Sequence, residues 1–306
     1  MRVTALAGGV GGAKLLRGLQ RALPRGALTA VVNTGDDATM YGLHVSPDVD
    51  IVTYWLAGIA DMDRGWGVKG DTFTAIEALA RLGEESWFRL GDADLATCLL
   101  RTRRLAEGWT LSKTTEEVRV ALRVPTRILP MSDDPVRTTL RATDGRTLEF
   151  QEYFVRDRTE PEIIEITYGG LERAAPAPGV QESIHSADLI VLCPSNPMLS
   201  LAPILGLRGL RDALRTHPRV VAVSPLVGGA ALKGPADRLL RSLGHDASAT
   251  GVSGLYRDFC DVFVLDEVDA HERQEVAATG SRPVVLDTVM SDASSAEALA
   301  ERIIAL

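Results

Sequence analysis

The chain has 306 residues, of which 45% are hydrophobic and 24% charged, the composition of a soluble globular protein long enough to bury a full core. Its formal net charge of -8 argues against a general binder of nucleic acid or of a membrane surface, since both need a basic face, but leaves room for a small anion in a local basic or amide-rich pocket. Cys98, Cys193 and Cys260 form no C-x-x-C pair, which excludes a disulfide framework or zinc site and points to a reduced, cytoplasmic chain; no signal peptide is apparent, and no apolar run approaches the ~20 residues of a membrane helix.

Short β-branched runs alternate with Leu/Ala-rich helical stretches along the chain. The first strand, Val3–Ala7, runs straight into Gly8, Gly9, Gly11 and Gly12, then Lys14 and a helix over Ala13–Leu23. Neither familiar nucleotide loop fits: G-x-G-x-x-G counted from Gly9 puts Lys14 at the last glycine, and Leu15 stands where a P-loop needs a hydroxyl. What remains is backbone that can approach a ligand closely and a helix start that favours an anion, so the stretch reads as an anion site rather than a bare strand-to-helix turn. A second strand, Leu28–Val32, ends in Asn33-Thr34-Gly35-Asp36-Asp37. Beyond it, Ser46-Pro47-Asp48-Val49-Asp50 reads as extended, with Asp48 and Asp50 on one face. Trp66, between glycines in a loop, is placed to stack on a planar ring, and helices are expected over Thr72–Leu82, Asp92–Glu107 and Thr114–Leu122.

The third strand, Arg127–Leu129, ends in Pro130-Met131-Ser132-Asp133-Asp134-Pro135. The segment Thr138–Ile166 then breaks the alternation and reads as a hairpin around Asp144-Gly145. A loop at Ala174–Gly179 separates the halves. Strands at Asp188–Leu192 and Val220–Val223 follow, ending in Pro194-Ser195-Asn196-Pro197 and in Ser224–Gly229 with Lys233-Gly234-Pro235. Strands at Val262–Leu265 and Val284–Leu286 and helices over Ile204–Arg215, Pro235–Leu243 and Ala293–Ile304 complete the pattern. Residues 1–306 thus predict a single α/β domain, a doubly wound, mostly parallel Rossmann-like sheet with an antiparallel hairpin or α+β insertion over 138–170. Ligands of such sheets sit beyond the carboxyl ends of the strands.

The paired carboxylates Asp36 and Asp37, with Asp48 and Asp50 close behind, suit a hard cation such as Mg2+ or a hydroxyl-activating cluster. Ser195 and Asn196, ahead of Pro197, offer a hydroxyl and an amide at a helix start, suited to a base, a phosphate or a plain N-cap. Gly228, Gly229 and Lys233 read as a second amide-rich nest or as a mobile loop. The five histidines show no metal-ligand spacing, and His185, His217 and His245 read as solvated loop positions.

Taken in order, the blocks LAGGVGGAK, VVNTGDDATMYG, SPDVDIVTY, DRGWGVKGDTF, LGDADLAT, ILPMSDDPV, FQEYFV, PSNPMLSLAPIL, SPLVGGAALKGPA and YRDFCDVFVLDE make the chain resemble, nearly end to end, the 2-phospho-L-lactate transferase family of coenzyme F-420 biosynthesis, including its phosphoenolpyruvate-type members. The resemblance implies a magnesium-dependent transfer from a guanosine-diphospho three-carbon acid to the terminal ribityl hydroxyl of the deazaflavin Fo, with release of GMP, by a homodimer acting on small molecules. It assigns Asp50 to contact with Fo, and Asp36 with Asp37 or Asp48 to the metal and the hydroxyl attack. The glycine loop through Lys14, Ser195-Asn196-Pro197 and the Gly228–Lys233 loop fall to the nucleotide and its diphosphate, and Asn33, Trp66, Asp92 and Asp133 to substrate. Two positions depart from the family pattern: Ile51 stands where threonine is usual, and Ala93 in Gly91-Asp92-Ala93-Asp94 replaces a basic residue. A related family of non-catalytic, glycine-rich nucleotide-sugar-binding regulators and a Rossmann oxidoreductase are the competing readings. The Ser-Pro-Asp-x-Asp and Pro-Met-Ser-Asp-Asp blocks count against the first, and Asn33 at the end of the second strand counts against the second.

Overall fold

A computed structural model describes residues 1–306. Seven strands form the central sheet: β1 (Val3–Ala7), β2 (Leu28–Val32), β3 (Arg127–Pro130), β4 (Leu189–Leu192), β5 (Val220–Val223), β6 (Val262–Asp266) and β7 (Arg282–Leu286). All pairings in it are parallel, in the order β7-β6-β5-β4-β1-β2-β3. The chain starts at the centre, winds out to β3 and returns to lay β4 against the free side of β1. Its direction of winding therefore reverses between β1 and β4, the place where such sheets open a crevice.

The strands form where the sequence has continuous apolar runs because both faces of this sheet are covered. Alternation assigns each residue to a layer: Val3, Ala5 and Ala7 enter one core, and Leu6, Ile190 and Leu192 enter the other. The first core is closed by the helices Gly9–Ala22, Pro47–Ala57 and Ala293–Ile304, the second by Val180–His185 and Leu210–Thr216. Parallel register places Ala7 beside Val32, and Leu6 beside Leu192. Gly8, Asn33 and Cys193 consequently leave the sheet side by side, with Asn33 N–H donating to Ala7 O at 3.0 Å and Cys193 N–H to Leu6 O at 3.0 Å.

All seven expected strands are present with ends shifted by a residue or two, and the doubly wound sheet is as expected. Three local readings change. The expected Ile204–Arg215 helix is two pieces, Ala202–Leu205 and Leu210–Thr216, because Gly209 sits at φ +79° between them. The mid-chain hairpin does turn at Asp144-Gly145, pairing Arg137–Ala142 with Thr147–Glu149. A third strand, Ile163–Gly169, adds to the other side of Arg137–Ala142. His217 is half-buried rather than freely solvated, with its Nε2 3.0 Å from Ala187 O.

Candidate active site

The glycine loop after β1 is shaped chiefly by its neighbours. Gly9 takes φ +66° at the helix start, and its N–H donates to Asp48 Oδ1 at 2.7 Å. At the other glycines it is close approach that excludes a side chain. A Cβ on Gly8 would lie 2.6 Å from Ser200 Cβ, one on Gly12 would lie 2.6 Å from Ser195 Oγ, and one on Gly11 would strike the Pro194 carbonyl. The loop after β4 is thereby clamped onto the start of the Gly9–Ala22 helix. Ser195 Oγ donates to Gly8 O at 2.8 Å and accepts from Gly8 N–H at 3.1 Å, so this hydroxyl is committed to the clamp and not to a ligand. Asn196 Oδ1 accepts from the N–H groups of Met198 at 2.9 Å and Leu199 at 3.1 Å, capping the turn that Pro197 opens and leaving its own amide nitrogen for other partners.

The acids after β2 are arranged differently from the expectation. Ser46–Asp50 is not extended: Pro47 opens a helix, Pro47–Ala57, with both aspartates in its first turn. Proline at the first helical position and acids against the positive end of the dipole are standard helix-start chemistry. The two carboxylates therefore point apart. Asp48 meets Gly9 N–H and, at 3.0 Å, the Asn33 side-chain amide, while Asp50 meets the guanidinium of Arg101. The anion expected at the glycine loop is, in this arrangement, the protein's own Asp48. Asn33 is fully buried and saturated, since its Oδ1 also accepts from Gly35 N–H at 2.8 Å, and it joins β2 to the helix.

Asp37 is tied on both oxygens, accepting from Ser46 Oγ at 2.7 Å and lying 3.0 Å from His44 Nε2. Asp36 is different: its Oδ1 is buried without a partner, and burial together with the nearby Asp48 and Asp37 carboxylates pushes its pKa well up. Burial likewise raises Asp48, to about 6. Three buried or half-buried acids thus influence one another, and one of them keeps a free oxygen.

A second acidic group is not legible from the strand ends. Carboxylate oxygens of Asp50 and Asp94 and the Cys98 Sγ lie within 4.8 Å of one another, Arg101 from the Asp92–Ala106 helix donates to Asp50, and Tyr54 OH donates to Asp94 Oδ1 at 2.9 Å. Burial and the Asp50 charge raise Asp94 to about 7; burial also raises Asp50, while Arg101 pulls it back. The signal lies in the spacing: Asp94, Cys98 and Arg101 stand at i, i+4 and i+7 and share one helix face. His44 carries no metal-ligand spacing that would mark it in the sequence, and its role beside Asp37 does not require one.

Lys14 and Lys233 meet beside the glycine loop although 219 positions of sequence (233 minus 14) separate them. Lys14 Nζ donates to Met290 O at 2.7 Å, and burial and the charge of Lys233 lower its pKa. Lys233 Nζ would lie 3.2 Å from a Cβ on Gly65, so the Asp61–Lys69 loop arches over the same place, hung from Trp55, whose Nε1 donates to Gly65 O at 3.2 Å. Trp66 stands 37% exposed in this arch, edge-on to Phe73, with Arg64 over both rings.

Three other expectations change. Gly228 and Gly229 form the two-residue turn of a tight hairpin, Leu226–Val227 with Ala230–Ala231, and Gly228 N–H is taken by Asp269 at 2.9 Å, so no open nest exists there. Asp92 accepts from Thr72 Oγ1 at 2.5 Å and from the N–H groups of Thr74 at 3.1 Å and Ala75 at 3.0 Å, capping the Thr74–Arg81 helix. Asp133 accepts from Ser112 N–H at 2.6 Å and Ser112 Oγ at 2.8 Å, holding the start of the Leu111–Ala121 helix. Both carboxylates position structure and do not join the cluster.

Comparison with known proteins bears on the fold and the family. A crystal structure of a UPF0052-family member from Bacillus halodurans superposes with a TM-score of 0.66 over 99% of this chain and 98% of that one, at 17% identity, a likeness of fold. A phosphoenolpyruvate transferase of Streptomyces griseus subsp. griseus is 42% identical over 100% of this chain and 98% of its own length. A 2-phospho-L-lactate transferase of Methanosarcina barkeri is 38% identical over 98% of this chain and 96% of its own. The family model described as 2-phospho-L-lactate transferase CofD matches residues 3–304, and the chain belongs to that family of transferases.

Proposed function

We propose that the chain transfers a phospho-three-carbon-acid group from a guanosine-diphospho donor to the terminal ribityl hydroxyl of the deazaflavin Fo. The observation that carries this reading is the pairing of Lys14 with Lys233 in an acidic protein, with neither lysine matched to a carboxylate. Two adjacent cations raise each other's energy, and a diphosphate relieves both. In the reaction, the acceptor oxygen attacks the phosphorus that bears the acid. The P–O bond to the guanylate phosphate breaks, GMP leaves with that electron pair, and Asp50 takes the hydroxyl proton. Trp66, on the arch over the lysines, supplies an aromatic face for a planar ring.

The buried, unpartnered oxygen of Asp36 is of the donor type that a hard divalent cation takes. Asp36 presents a buried oxygen with no partner, and Asp37 and Asp48 beside it have lone pairs beyond those their hydrogen bonds use. Asp36, with Asp37 or Asp48, would hold Mg2+, which when bound neutralises charge on the transferring phosphate. Relatives named phosphoenolpyruvate transferase are 40–42% identical to this chain, against 36–38% for those named 2-phospho-L-lactate transferase, which makes the enolpyruvyl donor the first choice. Incubation with Fo, Mg2+ and the lactyl, enolpyruvyl or glyceryl donor, with products identified by mass, should give a phosphodiester of Fo fastest with the enolpyruvyl donor. No Fo adduct from any of the three would overturn the reading.

A further inference from the structure

Arg101 is the bulkiest fully buried side chain of the protein. Removing a guanidinium from water is costly, and a buried ion pair is often no more stabilising than an apolar pair of the same shape, so stability alone does not account for it. The geometry is also not that of a structural bolt. A guanidinium placed for strength grips a carboxylate with two parallel N–H groups. Here Nη2 alone donates to Asp50 Oδ1, Nη1 turns away to His44 O at 3.3 Å, and Nε is buried without a partner. Asp50 Oδ2 is likewise buried with nothing bound to it. The Asp94 carboxyl, held by Tyr54 OH at 2.9 Å, has an oxygen within 4.8 Å of one of Asp50. Tyr54 sits one turn after Asp50 on the same helix, so the whole frame is referenced to the element that carries Asp50.

We propose that Arg101 is a positioning residue for the transfer: it fixes Asp50 by one oxygen and reserves the other, Oδ2, for the acceptor hydroxyl. Arg101 itself touches no substrate. The assignment rests on the transferase reading above, and its test separates the two. Replacing Arg101 by Met removes charge and donors while keeping most of the buried volume. Arg101→Met should lower kcat by about 100-fold, the scale of a misplaced proton acceptor, while KM for the guanosine donor stays within about threefold. Arg101→Lys, which restores a cation opposite Oδ1, should recover at least about tenfold of that loss, since charge-assisted donation to one oxygen needs no fork. Should the Met variant fail to fold, Arg101→Gln, which keeps a donor without charge, is measured in its place against the same expectation. A folded Met or Gln variant with kcat within about threefold of wild type overturns the assignment, as does a loss carried in donor KM. A wild-type chain inert toward all three donors instead overturns the transferase reading, a result distinct from a working enzyme indifferent to Arg101.

Discussion

Asp94 shows at the scale of one residue how burial converts into pH dependence. Its carboxyl is pushed up to about 7, first by burial and then by the Asp50 charge. A carboxyl raised in the folded state holds a proton there that the unfolded chain has already lost. Stability is therefore highest below the ordinary carboxyl range, falls as pH rises from about 4 to about 7, and is level above that. Asp94→Asn mimics the protonated form and can still accept from Tyr54. It should melt progressively higher than wild type as pH rises from 5 to 8. The gain is at most about 4 kcal/mol, because each pH unit between the ordinary carboxyl range and about 7 is worth about 1.4 kcal/mol. Thermal unfolding at both pH values checks this. A gain equal at both, or larger at pH 5, would show that Asp94 is already ionised in the fold.

At the scale of elements, the site is assembled by caps and close approaches more than by loops free to wrap a ligand. Asp48 takes the N–H of Gly9 at the start of one helix, Asn196 caps the next turn, and Asp92 and Asp133 hold two more helix starts. Asp92 is instructive because family likeness assigns its block to substrate, yet every bond it makes serves the Thr74–Arg81 helix, which follows the Trp66 arch. Asp92→Ala should speed amide hydrogen exchange across residues 74–81 and leave kcat of a folded, saturated enzyme unchanged. Unchanged exchange with a raised KM for the acceptor would return Asp92 to the substrate. Gly11→Ala tests the clamp in the same way. Its new methyl meets the Pro194 carbonyl, and overpacking of that kind costs about 1–3 kcal/mol in thermal or denaturant unfolding.

At the scale of the molecule, the net charge of -8 is unevenly arranged. Acids are concentrated after β2, where Asp36, Asp37 and Asp48 raise one another's energy, while Lys14 and Lys233 do the same elsewhere. Both places are out of balance in the chain alone, and each asks for a charge of the opposite sign. Adding Mg2+ should stabilise the wild type against unfolding, by about 1.4 kcal/mol at ten times the dissociation constant, and should do so far less in Asp36→Asn. Equal stabilisation of both proteins by Mg2+ would remove Asp36 from the cation site.

Fold and class were legible in the sequence because each strand is a short apolar run that a two-sided parallel sheet demands, and because glycines and prolines punctuate its ends. The helix at Pro47–Ala57 was legible in principle: Ser-Pro-Asp is a helix start, and reading it as a strand hides the fact that Asp48 and Asp50 diverge. Ten ordered blocks were enough to identify the family. What only the tertiary structure decided is which polar groups are spent. Whether Asn33, Ser195, Asp92 or Asp133 is free for a ligand depends on backbone donors brought from elsewhere in the chain, and no local pattern records them. The same holds for Arg101, an ordinary arginine in a helix of many charges until folding removes it from water and sets it against Asp50. Periodicity is written locally and can be read from one strand or helix at a time. The commitment of a hydrogen bond or a charge belongs to pairs of residues far apart in sequence, and only their meeting in space determines it.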